Sequence, residues 1–416
     1  MEEIFRTKLV RTRIPKTCIC PHCKKEQPFK KHKEYWKRVR HLSLDKPLIL
    51  LVQRINAKCL NPDCKVTNFV LPTPGIERYQ RSTQGVVQEA LERNVLDNVS
   101  YIRTASSLDR SFNTTGSKST IERWKQKEAS RYTFRDIIHK LNFSGFLSLD
   151  EYKPKRAKRY DLIAADAKKV RILYLENAPL SPSRAGSMGR GNIESFCWRL
   201  NALGIKPKVV IFDLLKAFPK QVKKVWPNAK LQFDHYHVIQ LIHKHLKNAL
   251  LYYRRSLKGK EWQFYREELW EHKWRILKNM DKWTSKDHQI IPALIQIYSG
   301  TPVENILIFK EQLYQIFDLS ENEREAYFKR DNLFKETWWR SSWHLTQIMR
   351  FLMSPDFAYM VTYLSDKEIP RSGNLETLIR TWRLFEKVRY GFKTEKARQD
   401  HLKLYQIKHY LKNKIA

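Results

Sequence analysis

The stretch Lys208-Val-Val-Ile-Phe-Asp213 is a continuously apolar run that ends in a carboxylate. Such a run predicts a short strand that is buried on both faces of a sheet. Phe146-Leu-Ser-Leu-Asp150 has the same form. A carboxylate that closes an apolar strand is held rigidly at the rim of the sheet. The two runs therefore predict one sheet whose rim carries Asp150 and Asp213.

Residues 146–246 alternate between strand and helix patterns around these two runs. The predicted order is three consecutive strands, a helix, a strand, a helix, a strand and a helix, which is the order of a ribonuclease H-like fold. This is an α/β fold with a mixed sheet flanked by helices. The predicted elements are strands Phe146–Tyr152, Tyr160–Ala167 and Val170–Leu175, helix Gly191–Leu203, strand Val209–Asp213, a short helix ending near Trp226, strand Lys230–Asp234 and a helix from His235.

A third acid follows much later in the chain. Glu376 opens an amphipathic helix pattern in Ser372–Arg380, and the interval after Asp213 is too long for one strand and one helix. An all-helical, tryptophan-rich insertion is therefore predicted, and we expect its tryptophans to lie in its core. In a ribonuclease H-like fold the metal carboxylates lie on the first strand, at the end of the fourth and on a later helix. Asp150, Asp213 and Glu376 occupy these places.

Such a set of carboxylates suits metal-dependent phosphodiester chemistry. Mg²⁺ prefers hard oxygen ligands and keeps several waters, so few carboxylates suffice. Two ions roughly 3.5–4 Å apart activate the attacking oxygen and stabilise the leaving one. We expect Asp150 to bridge two Mg²⁺ (or Mn²⁺) ions, with Asp213 and Glu376 as the further ligands.

Other acids near these strands compete for the same role. Glu151 should point to the opposite face of its strand from Asp150. Asp166 is a ligand or a turn cap. Asp234 ends another strand in Asp234-His-Tyr-His-Val238, with His237 one helical turn away. We treat Asp234 and His237 as alternative ligands or outer-shell residues.

Composition points to a polyanionic partner. The 416 residues carry a formal net charge of +36, with a pI near 9.9, and such a field attracts nucleic acid. The sequence contains no run of about 18 apolar residues, so we do not expect a membrane span. The N-terminus lacks the apolar core of a signal peptide. We therefore expect a cytoplasmic, DNA-binding protein.

Five of the six cysteines lie in the first 64 residues. In a reducing compartment this clustering predicts a metal site rather than disulfides. Cys20 and Cys23 form one tight pair and Cys59 and Cys64 a second, with a strand-like run between them. Four thiolates on two knuckles indicate a structural Zn²⁺ in a zinc ribbon. Cys18 and His22 are spare candidates.

Residues 83–130 have the pattern of three short helices. The third follows a glycine-containing turn, and Ser117 or Ser119 is its expected cap. This pattern is typical of a helix-turn-helix, with Lys118, Arg123 and Lys125 facing DNA. An ordinary helical linker is the alternative.

Two cationic segments flank the predicted acids. Residues 153–159 follow Asp150, and further cations follow Glu376. A charge run is usually a solvated loop, but beside a catalytic rim it can position a phosphate backbone. The predicted DNA contacts in these segments are Lys155, Arg156, Arg159, Lys387 and Arg389.

These motifs together resemble the DDE transposases of bacterial insertion sequences, in the ISL-three group. The resemblance rests on the four-cysteine ribbon, the helix-turn-helix and a set of short blocks, and it spans nearly the whole chain. The blocks are Leu149-Asp-Glu-Tyr152, Val209-Val-Ile-Phe-Asp-Leu214, Pro227-Asn-Ala-Lys-Leu-Gln-Phe-Asp-His-Tyr-His237, Ser372–Glu376 and Arg389-Tyr-Gly-Phe392.

The resemblance implies recognition of terminal inverted repeats, cleavage at the ends of the element and transfer of the 3′-hydroxyl into target DNA. It implies Asp150, Asp213 and Glu376 as the catalytic triad, double-stranded DNA as partner and a homodimer or larger assembly on DNA. The implied division is zinc ribbon 1–75, helix-turn-helix 76–135, core 136–246, helical insertion 247–365 and the rest of the core 366–416.

The chain departs from the family pattern at one place. An Asn is expected three or four residues after the glutamate and then a Lys, whereas Ile379, Arg380, Trp382 and Arg383 stand here. An inactive copy is therefore one alternative. A non-catalytic DNA-binding regulator that uses the ribbon and helices alone, and a nuclease or resolvase on the same fold, are two further alternatives. The motifs do not predict the sequence of the inverted repeats, the preferred target site or the oligomeric state.

Overall fold

The computed structural model describes residues 6–42, 48–65, 68–73, 75–76, 81–112, 116–152, 159–179, 190–388 and 392–411. The chain divides into two units, Met1–Leu141 with Thr381–Ala416, and Asn142–Arg380. Among the helices of the described residues, none combines the length and hydropathy that a membrane span requires.

The first unit begins with a sheet built on two long strands. Antiparallel pairing joins β4 to β5, while β1 runs parallel to β5 and β6 antiparallel to it. A small antiparallel pair, β2 with β3, carries the first cysteine knuckle. The strands are β1 Arg6–Val10, β2 Cys18–Ile19, β3 Glu26–Gln27, β4 Phe29–His41, β5 Leu48–Cys59 and β6 Asn68–Val70.

Four helices follow in this unit: α1 Gln84–Val95, α2 Tyr101–Phe112, α3 Lys118–Ala129 and α4 Phe134–Leu141. Ala90, Ala105, Leu108 and Ile121 form the core between the first three. The Ser117 hydroxyl accepts a hydrogen bond from the Thr120 amide at 3.2 Å and caps α3, as predicted.

The second unit contains a five-stranded mixed sheet. Its order is β11-β10-β7-β8-β9, with β7, β10 and β11 parallel to one another and β8 antiparallel to both neighbours. Its elements are β7 Phe146–Tyr152, β8 Arg159–Asp166, β9 Arg171–Pro179, α5 Arg190–Ala202, β10 Val209–Phe212, α6 Phe218–Val225, β11 Lys230–Phe233 and α7 His235–Ser256. The predicted alternation of strands and helices over 146–246 is confirmed.

Strand β10, which lies between β11 and β7, explains why this sheet is well defined. All four of its residues are buried. The Phe212 ring stacks on Phe218 at 5.6 Å and meets Phe233 edge-on at 5.5 Å, and burying such rings contributes strongly to a core. The predicted apolar face of α5 is likewise buried at Ile193, Phe196, Cys197 and Leu200.

The predicted helical insertion is observed as six helices: α8 Gln263–Ile276, α9 Ser285–Ile297, α10 Pro302–Phe317, α11 Glu323–Lys335, α12 Trp343–Leu352 and α13 Phe357–Val361. The expectation that its tryptophans lie in the core holds for Trp339, which is 4% exposed. It is wrong for Trp270, Trp274 and Trp343, which are 51%, 58% and 64% exposed. The hydrophobic core of this segment is filled by aliphatic and phenylalanine side chains such as Phe309.

Two last helices close the chain, α14 Leu375–Val388 and α15 Glu395–Tyr405, followed by a π-helical turn Gln406–Tyr410. From Thr381 onward the chain belongs to the first unit, whereas the sequence placed all of 366–416 with the sheet. Helix α15 packs against α3 and α1, and this packing holds the segment in the first unit. The segment also contains an aromatic cluster, in which the Trp382 ring lies 5.7 Å from Phe385 and 5.8 Å from His401.

The predicted DNA contact Lys125 is corrected by the same cluster. Lys125 is 1% exposed, and its Nζ lies 2.9 Å from the His401 Nδ1. A cation at this position does not reach a phosphate. Lys118 and Arg123 on the same helix are exposed, as is Lys387. Lys155, Arg156 and Arg389 lie outside the described residues, as does the side chain of Arg159.

Candidate active site

Three aspartates lie in one row at the carboxyl edge of the sheet. In the pairing of the parallel strands Leu149 is opposite Phe212, and Phe212 is opposite Phe233. The next residue along each strand is Asp150, Asp213 and Asp234. The Asp234 amide donates to the Phe212 carbonyl at 2.8 Å, which fixes this register. The carboxyl ends of parallel strands are where α/β sheets bind ligands.

Asp150 lies in a crowded electrostatic environment. Burial and, to a smaller extent, the charges of Asp213, Asp234 and Glu151 raise its pKa to about 7, although a hydrogen bond from the Glu151 amide acts in the opposite direction. That amide donates to the Asp150 Oδ1 at 2.7 Å. Burial, together with Asp213, also raises the pKa of Glu151. Carboxylates concentrated in this way repel one another until a cation neutralises them.

Asp213 is oriented by two neighbours. Its Oδ1 accepts a hydrogen bond from the Leu214 amide at 2.5 Å and lies 3.4 Å from the Nδ1 of His237. His237 belongs to the first turn of α7, which begins directly after Asp234. The helix therefore places an imidazole against the second aspartate of the row.

Asp234, by contrast, is fully engaged with protein groups. Its Oδ1 accepts from the Tyr236 amide at 2.9 Å and from the Ser372 hydroxyl at 2.8 Å, and its Oδ2 accepts from the Gly373 amide at 3.0 Å. The side chain caps α7 and is buried. Its hydrogen bonds attach the segment that precedes Glu376 to the edge of the sheet.

The same segment crosses the face of the sheet that carries the aspartates. Ser148 and Gln232 are both level with Ile211, two residues before the aspartate row, so they share its face. The Gln232 Nε2 donates to the Pro370 carbonyl at 2.7 Å. A side chain at Gly373 would overlap the Ser148 hydroxyl, which shows how closely the backbone approaches the sheet.

Glu376 lies in the first turn of α14, two residues after Asn374. Asn374 has a φ of 54°, a left-handed conformation that asparagine tolerates and that turns the chain into the helix. The glutamate is exposed. Among the described residues, the ligand atoms of Asp150, Asp213 and Glu376 do not all lie within 4.8 Å of one another. The structure therefore does not gather the three predicted ligands around a single ion.

Sequence reasoning missed the contacts that position this segment. Ser148 and Gln232 are buried polar residues inside otherwise apolar strands, and that break in the pattern was the available signal. The open choice for Asp166 is settled as a turn cap. Its carboxylate accepts from the amide and hydroxyl of Ser144 and from the amides of Lys168 and Lys169.

A second candidate metal centre lies in the first unit. The sulfur atoms of Cys20, Cys23, Cys59 and Cys64 all lie within 4.8 Å of one another. The Cys20–Cys64 distance is 3.8 Å and the Cys23–Cys59 distance is 3.9 Å. A tetrahedron with Zn–S bonds of about 2.3 Å has edges of about 3.8 Å, so these four thiols fit one zinc ion. Hydrogen bonds, first from the Lys25 amide and then from the side chains of Asn61, Cys20 and Cys59, lower the pKa of Cys23 to about 6. Neither Cys18 nor His22 belongs to this group.

A sequence profile of the ISL-three DDE family, described as transposase, matches residues 147–397. The chain belongs to this family of transposases. The match includes the whole aspartate row and Glu376. The transposase is also similar to a chain of the Drosophila P element transposase strand transfer complex, at 13% identity and a TM-score of 0.39, over 81% of this chain and 94% of that one. No curated protein matches it.

The positions where the transposase departs from the family pattern alternate between buried and exposed. Ile379 and Trp382 are buried, whereas Arg380 and Arg383 are exposed on α14. The buried pair supplies packing, and the exposed pair places cations in the turns after Glu376.

Proposed function

We propose that this transposase cleaves the ends of its element and joins them to target DNA by metal-dependent phosphoryl transfer. The observation that carries the proposal is the row Asp150, Asp213 and Asp234 at the carboxyl edge of adjacent parallel strands, with the segment leading to Glu376 fastened across the same face. The strand order and directions support a ribonuclease H-like core.

Asp150, Asp213 and Glu376 are the proposed ligands of two Mg²⁺ (or Mn²⁺) ions. Bound there, the ions would supply a nucleophile at neutral pH and stabilise the leaving oxygen. Asp150 is the proposed bridge because three carboxylates, Asp213, Asp234 and Glu151, act on it and together with burial raise its pKa, so a cation would stabilise its charged form. His237 orients Asp213. Asp234 is a positioning residue, since both of its oxygens already accept hydrogen bonds.

Several cationic surfaces of the first unit support DNA binding. Strand β4 carries Lys30, Lys31, Lys33, Lys37, Arg38 and Arg40 against a single acid, Glu34, and most of it is exposed. Lys118 and Arg123 are exposed on α3. We propose a zinc ribbon around Cys20, Cys23, Cys59 and Cys64 and a helix-turn-helix over α1–α3 as the readers of the inverted repeats. The cations of residues 153–159, together with Lys387 and Arg389, would hold the phosphate backbone.

The proposed reaction also implies an assembly and a location. Two ends must be held together for joining, so we propose at least a dimer on DNA. The substrate is bacterial chromosomal DNA, so we place the enzyme in the cytoplasm, on the nucleoid.

A strand-transfer assay tests the function directly. The DNA that flanks the coding region is searched for matching inverted repeats, and a pre-cleaved end with a free 3′-hydroxyl is mixed with protein, Mg²⁺ and a supercoiled plasmid. We expect joined products in which the end is attached to the plasmid. Hydrolysis without joining would favour a nuclease or resolvase. Binding without either reaction would favour a regulator or an inactive copy.

The close approach at Gly373 gives a sharper test of the proposed geometry. In Gly373→Ala the new methyl would overlap Ser148 and lie 3.3 Å from the Asp234 Oδ2, so the segment before Glu376 must move away from the sheet. We expect cleavage to fall by on the order of a hundredfold, because a displacement of about 1 Å can have that effect. The rate of end cleavage measures it.

The matched control adds Ser148→Gly to the same variant, since this removes the atoms that the methyl would meet. We expect the double variant to regain most of the lost rate. A single variant that cleaves at the wild-type rate would show that the segment does not position the glutamate.

A further inference from the structure

The helical insertion exposes two tryptophans side by side. Trp270 and Trp274 lie one turn apart on α8, so their indoles share a face of the helix, and they are 51% and 58% exposed. Indole is among the largest apolar groups of a protein, and two adjacent ones left in water indicate a binding surface.

Cations surround both rings. The Arg254 guanidinium lies 4.9 Å and the Lys273 ammonium 3.4 Å from the centre of a Trp270 ring, and the Lys247 ammonium lies 5.1 Å from a Trp274 ring. We name these five residues the indole face. Lys247 and Arg254 are seven residues apart on α7, two turns along one side of that helix.

The charge balance of the two helices is positive. Helix α7 contains four lysines and arginines and no acid in 22 residues. Helix α8 contains three cations and three glutamates, of which Glu267 accepts from Gln263 at 2.9 Å and Glu268 lies 3.4 Å from His272. The third glutamate, Glu271, is exposed. Among the cations, Arg254 Nε donates to the Arg266 carbonyl and Lys273 Nζ to the Trp270 carbonyl, so each keeps further N–H groups for an outside anion.

The exposed indoles and the cations beside them favour some binding partners over others. A second copy of the chain would set one positive face against another, which like-charge repulsion disfavours. Unpaired nucleotides offer both complements at once, a flat base for each indole and a phosphate for each cation. Intact duplex offers only phosphates, because its bases are already stacked, and unstacking them costs a few kcal/mol.

We propose that the indole face binds unpaired bases of a DNA strand by stacking on Trp270 and Trp274, with Lys247, Arg254 and Lys273 contacting the phosphates. This inference rests on one part of the proposed function, namely that DNA is the substrate. It adds a site for single-stranded DNA, suited to the frayed or displaced strand that a cleaved end or an opened target presents.

Fluorescence anisotropy of the full-length protein tests the site. The probes are a labelled 12-nucleotide oligothymidine and a labelled duplex of the same length, at one fixed salt concentration. For Trp270→Ala with Trp274→Ala we expect a loss of affinity for the single strand of about thirtyfold or more, because each of the two stacked bases contributes about 1–3 kcal/mol and about 1.4 kcal/mol is a tenfold change. Affinity for the duplex should change by less than about threefold.

Matched variants separate stacking from general effects. Trp198→Ala removes another tryptophan of the second unit, 50% exposed on α5, and should leave both affinities unchanged. Trp270→Phe with Trp274→Phe keeps aromatic rings and should retain most of the single-strand affinity. If alanine substitution makes the protein misfold, the proposal is tested by the quenching of tryptophan fluorescence on addition of oligothymidine. This quenching should be smaller in the variant with Trp270→Phe and Trp274→Phe than in the wild-type protein.

Three results would overturn the proposal. The alanine pair could lose equal affinity for the single strand and the duplex, or Trp198→Ala could lose as much single-strand affinity as the alanine pair. The alanine pair could also change the sedimentation of the protein with no loss of single-strand affinity, which would make the face a contact between copies. The test is independent of catalysis. Asp213→Asn should still bind oligothymidine with the wild-type affinity, so failure at the indole face and failure of the active site give different patterns.

Discussion

Asp150→Asn, Asp213→Asn and Glu376→Gln are each expected to lower end cleavage by on the order of a thousandfold or more. Each change removes a charged metal ligand, which contributes several kcal/mol of transition-state stabilisation, and about 1.4 kcal/mol is a tenfold change in rate. DNA binding should stay within a few-fold of wild type. The measurements are the single-turnover cleavage rate and the affinity for an inverted-repeat duplex.

Glu151→Gln is the matched control for Asp150→Asn. It lies next to Asp150 in the chain but is predicted to point to the other side of the strand, and we expect it to keep at least about a tenth of the activity. Asp150→Asn should also leave thermal stability near neutral pH unchanged or raised, because it removes a buried charge from a crowded group. Retained cleavage in any of the three variants would remove that residue from the proposed site. Loss in Glu151→Gln alone would transfer the role of Asp150 to its neighbour.

Cys20→Ser with Cys23→Ser is expected to release one zinc ion per chain and to unfold the N-terminal segment. The core there is small, comprising Ile55, Ala57, Phe69 and Leu71 with the cysteines. Binding of a structural zinc ion contributes about 10–16 kcal/mol in isolated zinc-finger peptides at neutral pH, so a small core does not replace it. Metal analysis and limited proteolysis of the segment before α1 measure the loss, and inverted-repeat binding should fall with it.

Cys18→Ser and Cys197→Ser serve as the cysteine controls. Cys18 lies beside the four-cysteine group without belonging to it, and Cys197 is buried on α5 in the second unit. Both variants should keep zinc. Wild-type protein without zinc would refute the ribbon, and zinc loss in Cys18→Ser would require a different set of ligands.

Much of the fold could be predicted because its signals are local. Val209–Phe212 is apolar at every position, which only a strand buried on both faces requires, and the order of strands and helices then limits the topology. The knuckle spacing of Cys20 and Cys23 is equally local. The cap at Ser117 depends on residues three positions apart. Each of these signals lies within one element or one turn.

The errors arose where burial depends on distant partners. Lys125 follows the pattern of a cation on a DNA-facing helix, but its partner His401 is 276 residues away. Trp270 and Trp274 follow the spacing of a core face, yet smaller side chains fill the core and leave them exposed. No periodicity distinguishes these outcomes, because a helix presents the same pattern to a core and to a ligand.

The sequence by itself determined the residues available to this transposase: which strands end in carboxylates, which cysteines lie close together in the chain, and a formal net charge of +36. Only the tertiary structure showed which donors reach each acid. Asp150 and Asp213 each accept a hydrogen bond from the amide of the next residue, while Asp234 accepts from Ser372 and Gly373, nearly 140 positions along the chain. The reason is physical: a carboxylate's role depends on which donors reach it, and those donors come from segments that only folding brings together.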